Sequence, residues 1–82
     1  MMKVKRMLSF NREEIKAIYK KERKELINHQ LEIIEKLILK NARMGEGRVI
    51  LNYIPFEENI LALLGAGFIV HRRRDEFEIV WA

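Results

Sequence analysis

Residues 12–44 contain neither proline nor glycine, and that run of thirty-three positions constrains the fold of this chain more than any other feature. The preceding "SFNREEI" marks a helix start. Asn11 can cap, Glu14 stands three residues later to complete a capping box, and Phe10 with Ile15 forms a hydrophobic staple. The run closes on "MGEG", where Gly45 or Gly47 can take the left-handed conformation that ends a helix. A continuous helix of this length extends about 50 Å at ~1.5 Å per residue. Strands of about six residues reach about 20 Å, so such a helix overhangs any sheet the rest of the chain can build.

The apolar positions sharpen this constraint. Counting about 100° per residue from Arg12, Ile15, Ile18, Tyr19 and Leu26 fall between about 240° and 340°. On the same count Ile27, Leu31, Ile34 and Ile38 fall between about 40° and 100°. One straight helix cannot press both stripes onto one flat surface. Either the helix breaks near residues 20–26, or its N-terminal half packs on another chain. "KKERKELINHQ" holds no breaker, so the second arrangement is expected, with Ile15, Ile18, Tyr19 and Leu26 as the oligomer interface.

The remainder reads as β-α-β-β. "RVILNYI" (residues 48–54) is β-branched and aromatic. Pro55 can open a short helix with Glu57 and Glu58 in its first turn, ending at "GAG". "FIVH" and "EFEIVW" then read as strands joined by a tight turn, with Phe77, Ile79 and Trp81 on one face. The β-α-β step predicts two parallel strands, and the hairpin adds an antiparallel third. The expectation is an α+β fold in which a long N-terminal helix covers a small three-stranded mixed sheet, order α-β-α-β-β. Residues 1–82 form a single domain, with a basic arm at 1–10, the long helix at 11–44 and the β-α-β-β unit at 48–82. Trp81 should be buried against Leu31, Ile34 and Ile38.

Several chemistries lack their residues. There is no cysteine, hence no disulfide or thiolate metal site. His29 and His71 stand alone, without a spaced ligand set, so no metal is expected. "GEG" and "GAG" lack the strand-then-helix context of a dinucleotide loop. No nucleophile has a base beside it. The chain therefore reads as non-enzymatic, with no catalytic residues, no cofactor and no small-molecule substrate. No window approaches ~18 consecutive apolar residues, which argues against a membrane partner. The opening "MMKVKRMLSF" lacks the apolar region of a signal peptide, so a cytoplasmic location is expected.

Charge is uneven. Residues 1–24 carry nine Lys/Arg and three Glu, a balance of +6, whereas residues 25–82 carry seven Lys/Arg and nine Asp/Glu, a balance of −2. Arg12, Lys16, Lys20 and Arg23 lie within about 80° on the helix, preceded by Lys3, Lys5 and Arg6. This stripe is the candidate site for an acidic protein surface or nucleic acid. Arg72, Arg73 and Arg74 form a second candidate tip. They are answered within a few residues by Asp75, Glu76 and Glu78, so the hairpin has zero net formal charge, and a cross-strand Arg72–Glu78 pair is available.

Two family resemblances follow. "LLGAGFIVHRRRDEFEIVW" resembles the wing of winged-helix repressors, which would make the arginines a DNA-contacting tip. That family needs two helices before the wing, and residues 55–65 have room for one. More of the chain resembles small proteins encoded by phages and prophages. They combine a charged, helix-rich first half with a leucine–glycine–aromatic turn and a terminal isoleucine-x-tryptophan strand, matched here at Leu63, Leu64, Gly67, Phe68, Ile79 and Trp81. The resemblance implies a fold and an origin, in host cytoplasm or virion, but no active site. The combined expectation is a non-catalytic phage-type interaction module, a structural or host-directed adaptor oligomerising through its N-terminal helix. The alternatives are a nucleic-acid-binding protein using the basic helix, or a degenerate winged-helix-like DNA-binding regulator.

Overall fold

The computed structural model of the chain describes residues 9–82. Helix α1 runs unbroken from Arg12 to Arg43, about 48 Å of helix. Asn11 caps it, its side-chain oxygen accepting from the Glu14 N–H at 2.9 Å. At the other end Gly45 takes φ +81°. Its N–H donates to the Ala42 carbonyl at 3.0 Å, and the Glu46 N–H donates to the Asn41 carbonyl at 2.9 Å. These two bonds are a Schellman closure, which satisfies carbonyls that the helix end would otherwise leave open. The Asn41 side chain also donates to the Arg48 carbonyl at 3.0 Å, tying the helix end to the next strand.

Strand β1 is Arg48–Leu51, helix α2 is Glu57–Gly65, and strands β2 and β3 are Ile69–Arg72 and Phe77–Val80. Pro55 lies ahead of α2 rather than opening it, and Phe56 takes the cap position. Gly67, at φ +91°, repeats the Schellman closure at the end of α2, with Gly67 N–H to Leu64 and Phe68 N–H to Leu63. The closure turns Phe68 back onto the core beside Leu63.

The element order is the expected α-β-α-β-β, but the sheet is antiparallel throughout rather than mixed. Its order is β1-β3-β2, with β3 antiparallel to both neighbours. Strands β1 and β2 run the same way, as a β-α-β unit requires, yet β3 inserts between them and splits the unit. The physical reason lies in β3 itself. Phe77 and Ile79 are fully buried, and the central slot lets the strand pair along both edges.

Alternation sorts the sheet's residues. Val49, Leu51, Phe77 and Ile79 face Ile34 of α1 and Ile60 and Leu63 of α2 to form the core. Arg48, Ile50, Ile69, His71, Glu78 and Val80 occupy the other face. Trp81 lies just past β3 and is half-buried, its ring edge-on to Phe68 at 6.3 Å. Trp81 also packs against the core cluster that includes Ile34, but it is half-buried there rather than buried, because Phe77 and Ile79 already fill the centre.

The core occupies one end of the molecule. Principal extents are 67 × 25 × 19 Å and the radius of gyration is 19.0 Å, against roughly 12 Å for a compact domain of this length.

Candidate functional site

A polar clasp marks where α1 leaves the body. The Gln30 side-chain oxygen accepts from the Phe56 backbone N–H at 2.9 Å and from the Asn59 amide at 3.0 Å. The same Asn59 nitrogen donates to the Ile27 carbonyl at 2.9 Å. Asn59 is buried, and the cluster joins the start of α2 to the middle of α1. One turn further out, Arg23 forms a forked ion pair with Glu58, one arm at 3.2 Å, and its guanidinium sits 5.4 Å from the centre of the Phe56 ring. Arg23 holds the Glu58 carboxyl below the usual carboxylate range chiefly through this hydrogen bond, and Glu58 in turn raises Arg23.

Beyond Arg23 the helix projects. Every residue from 11 to 22 is exposed. Of the expected oligomer-interface residues, Ile15 is 41%, Ile18 56%, Tyr19 59% and Leu26 55% exposed. They share one side of α1, their stripe centred more than a quarter turn from that of the core-facing Ile27, Leu31, Ile34 and Ile38. The continuous helix excludes the broken alternative at residues 20–26.

Two troughs extend this side onto the body. One, of about 410 Å³, is lined by Leu26, His29, Gln30, Ile33, Tyr53 and Phe56. The other, of about 240 Å³, is lined by Tyr19, Glu22, Arg23, Leu26 and Phe56. They share Leu26 and Phe56 and form a continuous apolar run. Sequence reasoning missed Ile33, Tyr53 and Phe56. The position of Ile33 was recoverable from its spacing to Leu26, but Tyr53 and Phe56 join the run only through the clasp.

The basic candidates divide. Lys3, Lys5 and Arg6 lie outside the described residues. Arg12, Lys16 and Lys20 are exposed on the projecting half, at the azimuth that becomes the core face further along. Arg23 is consumed by Glu58. Lys20, Arg23 and Lys24 line a cleft of about 480 Å³ with Tyr19, Ile27, Asn28 and Glu58.

The hairpin arginines are all exposed, Arg72 at the end of β2 and Arg73 and Arg74 in the turn, where the Arg73 N–H donates to the Glu76 carbonyl at 2.9 Å. The expected Arg72–Glu78 pair does not form, because the register sets Arg72 opposite Phe77 and His71 opposite Glu78. Glu78 is instead paired with Arg48, diagonally across β1, at 2.8 Å. Among the described residues the ion pairs are Arg23–Glu58 and Arg48–Glu78.

Among the described residues no group of three or more His, Asp or Glu side chains could hold a metal ion, and no helix is long and apolar enough to cross a membrane. Helix α2 is the one helix between β1 and β2, which leaves the helix pair of a winged-helix domain unmatched at that place. No family model matches the chain, and neither a curated protein nor a solved structure matches it significantly.

Proposed function

We propose that the chain is a non-catalytic interaction module of the phage type that associates with a second copy of itself through the projecting half of α1. One observation carries the reading: residues 12–22, the first part of α1, are exposed along their whole length while presenting Ile15, Ile18 and Tyr19 in line with Leu26. The projecting half lacks the tertiary packing that supplies most helical stability in proteins, and burying one Val, Leu or Ile side chain stabilises by about 1.5–3 kcal/mol. A second copy supplies the missing packing for both. Sedimentation at micromolar concentration tests this. The wild type should run as a dimer or larger species, and Ile15→Asp with Ile18→Asp should run as a monomer with its sheet intact. A wild-type monomer overturns the reading.

A second reading rests on a different observation. Arg12, Lys16 and Lys20 are exposed along one side and take part in neither ion pair. In that reading they bind a nucleic-acid backbone, and affinity for duplex DNA falls steeply with salt. Absence of binding at low salt removes it.

A further inference from the structure

We infer that the second copy packs antiparallel along α1 in a register centred on Leu26, so that the projecting half of each helix lies beside the folded body of the other. This rests on the self-association proposed above and specifies its geometry.

The exposed stripe has a regular period. Ile15, Tyr19, Glu22, Leu26, His29 and Ile33 are spaced 4-3-4-3-4, the 3.5-residue repeat of helices that pack along a shared seam. All six are exposed. The stripe does not stop where the body begins, since Leu26 and Ile33 continue it past the clasp and Tyr53 and Phe56 widen it into a trough. A partner helix lying on the stripe therefore meets the body as well as the overhang.

The polar members of the seam select the direction. A parallel, in-register pair sets Glu22 against Glu22, and like charges in apposition are unfavourable. An antiparallel pair centred on Leu26 sets Tyr19 of each copy opposite Ile33 of the other, Leu26 opposite Leu26, and Glu22 within a turn of His29 and Gln30. The apolar positions meet one another and no carboxylate meets its own copy.

Net charge gives the same direction. Residues 12–24 hold six Lys/Arg and three Glu, a balance of +3, whereas residues 25–82 balance at −2. Antiparallel packing places each basic overhang beside the other copy's body, whose overall balance is negative. Parallel packing places the two basic overhangs together.

Length is also consistent. The overhang of residues 12–22 spans about 17 Å, and residues 23–43, the part of α1 beside the body, span about 31 Å, so one body is long enough to cover one overhang.

The absence of cysteine allows a direct test with Tyr19→Cys and Ile33→Cys in otherwise unchanged chains. Both positions are exposed, so both variants should fold. Under mild oxidation a mixture of the two should cross-link at least tenfold faster than either variant alone, since disulfide formation needs Cβ atoms about 4 Å apart. A nitroxide at Lys16 should report an intermolecular separation of about 30 Å, twenty residues of helical rise. Self-cross-linking of each variant alone, with a Lys16 separation under about 15 Å, would establish a parallel pair and overturn the inference while leaving self-association intact. A dimer with no cross-link in either arrangement places the interface elsewhere and also overturns it. A monomeric wild type by sedimentation refutes the underlying reading instead.

Discussion

The Asn59 side-chain amide lies buried against α1, giving one N–H to Gln30 and one to the Ile27 carbonyl. Two residues nearly thirty positions apart thereby join α2 to the middle of α1, with Gln30 also accepting the Phe56 N–H at the point where α2 starts. A helix start without a side-chain cap of its own borrows one from its neighbour.

Replacing Gln30 with Leu should therefore destabilise the protein by about 1–3 kcal/mol, the cost of leaving buried donors unsatisfied. The exposed neighbour Glu32→Ala should change stability by less than about 0.5 kcal/mol. Urea unfolding of the two variants measures the contrast, and equal midpoints would contradict the role given to the clasp.

Two glycines close together should respond in opposite directions. Gly67→Ala forces a side chain into φ +91° and should cost about 1 kcal/mol or more. Gly65→Ala lies within α2, where an added Cβ meets nothing within 4 Å, and should stabilise by about 0.5–1 kcal/mol. Thermal unfolding of both variants checks the signs.

The arginines of the two edge strands differ in what they support. Arg72, Arg73 and Arg74 changed together to Ser should shift stability by no more than about 1 kcal/mol, since exposed charges contribute little individually. Arg48→Ala alone leaves the buried Glu78 carboxylate without its partner and should cost about 1–3 kcal/mol. Adding Glu78→Gln to Arg48→Ala should recover much of that loss. A larger loss from the triple hairpin variant would mean that the turn is neutralised in solution by its own acids.

Acid should loosen the outer clasp. The Glu58 carboxyl is held low by Arg23, so the stabilisation that the pair contributes is present above the ordinary carboxylate pKa. It is lost as pH falls through the depressed value. The stability difference between wild type and Glu58→Gln should therefore shrink from neutral pH towards pH ~3, with the wild type more stable at neutrality. A difference that grows in acid would reverse the assignment.

Much of this architecture was legible in the sequence. Asn11 and Glu14 placed the start of α1, "MGEG" and "GAG" marked the two helix ends, and the absence of a breaker through "KKERKE" kept the helix whole. The two apolar stripes already implied an overhang, and the exposed Ile15, Ile18 and Tyr19 lie on it. These features are local: a cap, a left-handed closure and a helical period depend on residues within one or two turns of each other.

Tertiary structure decided what depended on distant partners. Whether β3 lay outside β2 or between β1 and β2 could not be read from its own residues, because either position satisfies its alternation. Double-sided pairing and the burial of Phe77 and Ile79 made it central. The same insertion chose Arg48 over Arg72 as the partner of Glu78, since register, not proximity in the chain, sets which charges meet across a sheet. It also left Trp81 at the margin of the core, edge-on to Phe68. The Gln30–Asn59 clasp followed the same rule: a buried amide needs a partner wherever packing brings one, and only the folded chain brings those two together.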